Sequence, residues 1–255
     1  MSFLRRKAWI EGLDDILRGG FLEGSSIILL GPVVTFKSHL AFQIIYGGLK
    51  NGEKCLLMST NLTFDTLRTN LKISCDWDLK SYLDAGKLDF IYYPSHLTES
   101  TGRSGGFEGI REITFRTGEG VTRVVIHSFS QLYSTVNDES LIMSMVYRLK
   151  EKIEKNRGIV LYLLDNGVQS RQFEENLKSI CDYVLELRDS EDVVEIRVSK
   201  APIPHSLDWH RLFFSSSGVG VGAPTAKTVK TGKKSLPVRS TLPSLKTFIE
   251  SPSSG

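Results

Sequence analysis

Short apolar runs alternate along the chain with segments whose apolar residues recur at helical spacing. The apolar runs predict strands at 25–30, 54–59, 87–93, 121–127 and 158–165. The helical spacing predicts helices at 38–49, 64–71, 138–156 and 171–180. Strands that are apolar on both faces are covered on both sides, so the pattern predicts an α/β fold with a largely parallel sheet between helices.

The last part of the pattern differs from the rest. Residues 183–199 form two stretches around an acidic turn, which predicts a β-hairpin, and 210–216 predicts a final strand. A mostly parallel sheet that ends in a C-terminal antiparallel hairpin is typical of RecA-like P-loop NTPase domains. Residues 95–109 are polar and rich in glycine, and predict a long loop that is either a surface insertion or a mobile functional loop.

Charge is distributed unevenly between the body and the C-terminal tail. Residues 223–255 carry six basic residues and one acidic residue, a net charge of +5, which leaves −2 for residues 1–222 out of the total of +3. The tail is rich in proline, serine and threonine, so it lacks the apolar surface that offsets chain entropy. We therefore predict a folded domain over 1–222 and a disordered basic tail over 223–255, with the boundary in the glycine-rich segment 215–224.

Composition favours a cytoplasmic protein. The hydrophobic fraction of 40% and the charged fraction of 24% are typical of soluble globular domains. Widely spaced Cys55, Cys75 and Cys181 argue against a disulfide framework or a zinc site, and favour a reducing compartment. The first residues lack the apolar core of a signal peptide, and no apolar run is long enough to span a bilayer.

The order of several motifs identifies a family. The segment 12–60 resembles the opening of the archaeal-type KaiC-like ATPases of the RecA superfamily, with a GLDD lead-in, a strand, a phosphate loop and a helix. The segments 84–91, 123–128 and 199–214 resemble later parts of the same family in the same order. The resemblance covers residues 8–221 and implies a RecA-like fold, an ancestral ATP and Mg²⁺ site, and an oligomeric assembly.

The phosphate loop departs from the pattern GxxxxGK[ST]. The segment 31–38 reads GPVVTFKS, with Phe36 where the glycine before the lysine is required and Val34 where the family commonly has another glycine. Valine and phenylalanine disfavour the positive φ that glycine permits, and we expect the Phe36 ring to lie where a phosphate would bind. The candidate phosphate-binding residues of this degenerate loop are Gly31, Thr35, Lys37 and Ser38.

The resemblance also locates the positions of the metal and catalytic carboxylates. The strand 121–127 ends in His127 where the family has a magnesium-site aspartate, and an imidazole is a poor substitute for a carboxylate on a hard cation. A histidine that is hydrogen-bonded to a neighbour is the structural alternative. The paired glutamates fall on Thr60 and Asn61, which cannot act as a base at neutral pH. Asp65 is expected to begin a helix, and Asp165 is a weaker carboxylate candidate.

The cations that reach the neighbouring subunit in related hexamers are also missing from this alignment. Their positions fall on Ser199 and Ala201 when the segment is aligned on His205, and a shift of one residue would restore Lys200. We therefore predict no catalytic residue and no metal ligand, and expect no bound cofactor, with ATP and Mg²⁺ as the alternative.

Three functions follow from these residues. The first is a non-catalytic regulator or scaffold that forms a homo-oligomer or pairs with an active KaiC-like paralogue. The tail is then a docking segment through 242–250, or only a solubilising extension. The second is residual ATP binding with weak or no hydrolysis through Lys37 and Ser38. The third is RecA-type DNA binding, against which the acidic body argues, so nucleic acid is not the expected partner.

Overall fold

The computed structural model describes residues 4–33, 36–94, 103–190 and 193–225. The strands of this part of the chain are β1 (Arg5–Arg6), β2 (Phe21–Leu22), β3 (Ser25–Gly31), β4 (Lys54–Ser59), β5 (Leu88–Tyr92), β6 (Val121–His127), β7 (Ile159–Asp165), β8 (Tyr183–Ser190), β9 (Val193–Lys200), β10 (His210–Ser215) and β11 (Gly218–Pro224). Its helices are α1 (Leu13–Ile16), α2 (Lys37–Lys50), α3 (Phe64–Cys75), α4 (Lys80–Asp84), α5 (Arg103–Arg116), α6 (Phe129–Val136), α7 (Glu139–Asn156) and α8 (Arg171–Ile180).

One nine-stranded sheet organises the domain, in the order β11-β10-β9-β8-β3-β7-β6-β4-β5. The six strands from β8 to β5 are parallel to one another, whereas the pairings of β8 with β9, β9 with β10 and β10 with β11 are antiparallel. The predicted α/β fold with a mostly parallel sheet and a C-terminal antiparallel hairpin is confirmed. Strand β7 lies between β3 and β6, so the predicted phosphate-loop strand and the strand that ends in His127 are not direct neighbours.

The sheet separates two apolar layers. Along β3, Ile27 and Leu29 belong to one cluster, which also contains the apolar face of α2. Ile28 and Leu30 belong to the other cluster, which contains the apolar faces of α5 and α7. Burial on both faces explains why this strand reads as a continuous apolar run.

Helix α7 follows its sequence pattern closely. The Asp138 carboxylate accepts a hydrogen bond from the Leu141 backbone N–H at 2.9 Å, which caps the first turn. Met145, Leu149 and Ile153 are fully buried. The predicted apolar face of this helix therefore packs on the sheet.

Part of the predicted loop 95–109 is helical. Helix α5 begins at Arg103, and its residues Ile110 and Ile113 are buried in the cluster that it shares with α7. The loop prediction is wrong for 103–109, because tertiary packing of this face outweighs the low helix propensity of its glycines. Residues 95–102 lie outside the described part of the chain.

The glycine-rich segment 215–224, expected to mark a domain boundary, contains strand β11. Val221 of this strand donates its backbone N–H to the Glu11 carbonyl at 2.8 Å. At Gly12, which has a φ of +75°, a Cβ atom would lie 2.0 Å from the Val221 carbonyl oxygen. The GLDD lead-in therefore makes a close backbone contact with β11, which needs a glycine there. Residues 226–255, including the predicted docking segment 242–250, lie outside the described residues.

A charged pair is buried beneath α2. The Arg123 side chain on β6 has no exposed surface, and its guanidinium donates to both carboxylate oxygens of Glu53, at 2.8 and 2.9 Å. It also donates to the Ile44 carbonyl at 3.2 Å. A Cβ atom at Gly48 would lie 2.4 Å from the Arg123 Cδ atom, so this glycine leaves room for the arginine.

Candidate functional site

The predicted site residues meet at the carboxyl edge of the parallel strands. Gly31 ends β3 and lies in register with Asp165, which ends β7. His127 ends β6, and α2 begins with Lys37 and Ser38. In open α/β sheets this edge, together with a helix N-terminus, is where phosphate-bearing ligands bind. The strand–loop–helix frame of a phosphate loop is therefore retained.

Within this frame, Lys37 is bound to the protein itself. Its side chain is 5% exposed, and the ammonium lies 2.8 Å from the Asp165 carboxylate. It also donates to the Gly31 carbonyl at 2.6 Å and to the Pro32 carbonyl. Burial lowers the pKa of Lys37, and the Asp165 carboxylate partly offsets this effect. The Lys37 ammonium, which contacts phosphate in a working phosphate loop, is thus bound to a carboxylate and two carbonyls.

The aromatic residue in the loop packs against the antiparallel extension of the sheet. The Phe36 ring stacks on Phe214 of β10 at 5.7 Å between centroids, and the His39 ring meets Phe214 edge-on at 5.0 Å. Phe36 has a φ of −72°, which is unstrained for a phenylalanine. The Lys37 ammonium lies against the carbonyls of Gly31 and Pro32, the first residues of the loop.

The remaining candidate phosphate-binding residues differ in their packing and burial. A Cβ atom at Gly31 would lie 2.8 Å from the Leu187 Cβ atom on β8, so packing of the sheet alone requires a glycine there. Ser38 is partly buried at the start of α2. Thr35 and Val34 lie outside the described residues.

His127 and Ser38 form a direct contact. The Ser38 hydroxyl and the His127 Nε2 atom share a hydrogen bond of 2.9 Å, and Phe42 packs on the same ring at 4.9 Å. The Nδ1 atom of this buried ring has no hydrogen-bond partner among the described residues. Burial lowers the pKa of His127 to about 4, so the ring is neutral at physiological pH. This geometry is the hydrogen-bonded histidine that the sequence offered as the structural alternative.

The neutral His127 ring makes stability depend on pH. An unfolded histidine takes up a proton near pH 6.5, whereas the folded ring does so near pH 4. The stability that depends on the neutral His127 ring is therefore complete above pH 6.5 and lost as the pH falls to about 4, a loss of about 3 kcal/mol. We expect His127→Gln to remove this part of the pH dependence in urea unfolding at pH 7, 6, 5 and 4.

The matched comparison for that measurement is His39→Gln. Burial also lowers the pKa of His39, but its ring is partly exposed. The expected change in the pH dependence of the free energy of unfolding is therefore smaller. An equal change in both variants, or no change in His127→Gln, would contradict the origin of this pH dependence in the buried His127 ring.

No carboxylate occupies the positions expected for the paired glutamates. Thr60 is buried, and its hydroxyl lies 3.0 Å from the Gln131 side-chain oxygen and 3.1 Å from the Ser128 backbone nitrogen. Asn61 is exposed. Asp65 lies in the first turn of α3, where it was expected, and pairs with Arg68 at 3.1 Å.

The residues aligned with the subunit-bridging cations make contacts within the chain. Ser199 donates its hydroxyl to the Val184 carbonyl at 3.2 Å, and Ala201 packs against the core. Lys200 donates to the Lys178 and Ser179 carbonyls at 2.8 and 2.9 Å, near the end of α8. A cation at a helix C-terminus interacts favourably with the helix dipole, so Lys200 has a structural contact whichever alignment is taken.

Two partners in this site carry little signal in the sequence. Phe214 lies in an ordinary strand pattern, and its contact with Phe36 depends on the fold of β10 beside the loop. Asp165 ends a predicted strand, and knowledge of the strand order would have placed it beside Gly31. In the described part of the chain, no three histidine, cysteine, aspartate or glutamate side chains cluster closely enough to hold a metal ion.

The fold and the retained strand–loop–helix frame define a RecA-type P-loop domain. The family described as "ATPase: KaiC" matches residues 6–200. The chain therefore belongs to the KaiC family of ATPases.

Across the described residues, no helix is both long enough and apolar enough to cross a membrane.

The chain is also similar to individual proteins. The UPF0273 protein PH0284 of Pyrococcus horikoshii is 26% identical over 182 residues, which cover 66% of this chain and 71% of the relative. The circadian clock oscillator protein KaiC of Synechococcus elongatus is 28% identical over 159 residues, which cover 60% of this chain but 30% of that protein. The crystal structure of the KaiC-like protein PH0186 of Pyrococcus horikoshii matches with a TM-score of 0.68 at 20% identity, covering 87% of this chain and all of that one.

Proposed function

We propose that this KaiC-family protein no longer hydrolyses ATP and acts as a regulatory or scaffolding protein. The observation that carries the proposal is the buried pair between Lys37 and Asp165 at 2.8 Å, because it satisfies the phosphate-binding lysine without a nucleotide. A nucleotide would have to displace this carboxylate and two backbone carbonyls before the lysine could contact a phosphate.

In this proposal the site also lacks a suitable ligand for Mg²⁺ and a residue that could act as a general base. The Ser38 hydroxyl is bonded to His127, a neutral imidazole where Mg²⁺ would favour an oxygen ligand. The residues at the glutamate positions, Thr60 and Asn61, cannot take up a proton at neutral pH. The chemistry of these residues therefore argues against a Mg²⁺–ATP site in which hydrolysis could occur.

Residual ATP binding is the second candidate function. Lys37 and Ser38 still begin a 14-residue helix directly after a parallel strand, and such a helix N-terminus attracts anions. In this alternative the nucleotide replaces Asp165 as the partner of Lys37, and hydrolysis remains absent.

Equilibrium ATP binding and phosphate release test the proposal together. We expect the full chain to show no saturable ATP binding up to millimolar nucleotide with Mg²⁺, which corresponds to a binding free energy weaker than about −4 kcal/mol. Phosphate release should equal that of Lys37→Met, which serves as the matched background.

The outcomes of this test separate the two candidates. ATP binding that is lost in Lys37→Met, without phosphate release, would support residual ATP binding instead. Phosphate release above the Lys37→Met background would contradict both.

The regulatory role requires a protein partner. We propose that the partner is either another copy of this chain or an active KaiC-like paralogue, and that the tail 223–255 contributes a docking segment. The three cysteines are buried free thiols, in keeping with the cytoplasmic location that we propose. Native mass measurement with and without the tail would report both the assembly and the contribution of the tail.

A further inference from the structure

Helices α5 and α7 enclose a surface groove on the side of the sheet opposite to α2. Its volume is about 470 Å³, and its floor contains the buried side chains of Ile110 and Met145. Phe115 lines it as well and is 82% exposed. We name this surface the α5–α7 groove. A large exposed aromatic residue beside a concave apolar floor is typical of a protein-binding surface.

The charged residues that line the described part of the α5–α7 groove have one sign. They are Arg111, Arg148 and Lys152, and none of the described lining residues is acidic. Lys152 donates to the Thr117 carbonyl at 3.0 Å and so links α7 to the residue that follows α5. Neither Arg111 nor Arg148 forms an ion pair with any described residue, and both are exposed. The groove therefore offers two unpaired guanidinium groups over an apolar floor.

A second surface pocket shows that this arrangement is not general. The pocket beside α3 also combines basic residues with an exposed apolar residue, Ile73. There, however, Arg68 pairs with Asp65 at 3.1 Å, and Lys72 pairs with Asp76 at 2.6 Å. The cations of that pocket are neutralised within the chain, whereas those of the α5–α7 groove are not.

We infer that the α5–α7 groove binds an acidic amphipathic helix of a partner protein. An apolar helix face would cover Phe115 and the groove floor, and flanking carboxylates would pair with Arg111 and Arg148. A nucleic acid would present phosphates to the apolar floor, and a flat anionic membrane would leave the concave floor uncovered. The complementarity therefore favours a helix. The α5–α7 groove shares no residue with the phosphate loop, so a failure of peptide binding and the presence of hydrolysis would be separate results.

A labelled peptide of matching length provides the direct test. Helix α5 has 14 residues and is about 21 Å long, so we choose a peptide of about 14 residues. Its leucines recur at i, i+3, i+4 and i+7, glutamates flank them, and a twin peptide carries lysine in place of every glutamate. In fluorescence anisotropy with the full chain, we expect the acidic peptide to bind saturably and about tenfold or more tightly than its twin.

Variants of the chain identify the groove as the binding site. Phe115→Ser is expected to weaken acidic-peptide binding about tenfold, and the double variant Arg111→Glu/Arg148→Glu to reverse the preference between the two peptides. The matched controls are Ile73→Ser, which removes an 81% exposed apolar residue, and Arg171→Glu, which reverses the charge of an exposed residue on α8. Neither control should change the affinity by more than about twofold, and all these side chains are exposed, so folding is expected to be retained.

Several results would overturn the inference. They are the absence of saturable binding, equal affinity for the two peptides, and an equal effect of Phe115→Ser and Ile73→Ser. Displacement of the peptide by phosphatidylglycerol vesicles, with vesicle binding lost in Phe115→Ser, would assign the groove to a membrane surface instead. Displacement by duplex DNA with the same sensitivity would assign it to nucleic acid.

Discussion

Replacing Glu53 by alanine is expected to lower the free energy of unfolding by about 4 kcal/mol. The change leaves the guanidinium of fully buried Arg123 without its carboxylate, and an uncompensated buried charge typically costs 3–5 kcal/mol. Burial alone would raise the pKa of Glu53, but the contacts with Arg123 outweigh it and hold this pKa below its usual range. Urea unfolding at pH 7 measures the difference.

The controls for Glu53→Ala separate the charge from the packing. Glu151→Ala removes an exposed glutamate and should change stability by less than about 0.5 kcal/mol. The double variant Glu53→Leu/Arg123→Met removes both charges and should cost clearly less than Glu53→Ala alone. If Glu53→Ala and Glu151→Ala had similar effects, the pair would not contribute to stability as described.

Replacing Asp165 by alanine is expected to lower the free energy of unfolding by about 3 kcal/mol in the absence of any nucleotide. The variant leaves the buried Lys37 ammonium with only carbonyl partners. The expected loss is smaller than for Glu53→Ala, because the Asp165 side chain is 23% exposed and water is closer. Urea unfolding of the full chain at pH 7 gives the value.

A double-mutant cycle tests whether this loss belongs to the pair. Lys37→Met removes the buried charge itself and should cost only about 1 kcal/mol, and adding Asp165→Ala to it should cost little more. Additive losses in the double variant would contradict the pairing. Such a result would also remove the observation on which the proposed loss of ATP binding depends.

The sequence predicted most of the sheet because the strands of the core are buried on both faces. Ile27 to Leu30 illustrate this, since alternate residues enter different apolar layers and the run therefore has no polar position. The elements that were missed or misread depend on distant contacts. Glycine-rich β11 pairs with β10 and packs on the lead-in, and the glycines of α5 are held in a helix by its contacts with α7.

The substitutions at the site could be read from the sequence, but their partners could not. Phe36 and His127 stood out as departures from the family pattern, and the contact of His127 with Ser38 agrees with its structural reading. The pairing of Lys37 with Asp165 joins residues 128 positions apart, and follows from the parallel register of β3 with β7. Arg123 lies within an apolar run, where nothing in the sequence distinguishes a buried arginine from an exposed one.

The lysine–aspartate pair also bears on how the proposed absence of hydrolysis would respond to mutation. Replacing Phe36 by glycine would leave Lys37 bound to Asp165, a competitor that is tethered in the same fold and never diluted. That single change would therefore bring little gain in ATP affinity on which selection could act. Under the proposed function, the fold keeps Lys37 because its pair with Asp165 contributes to stability, and nucleotide binding would require several changes at once.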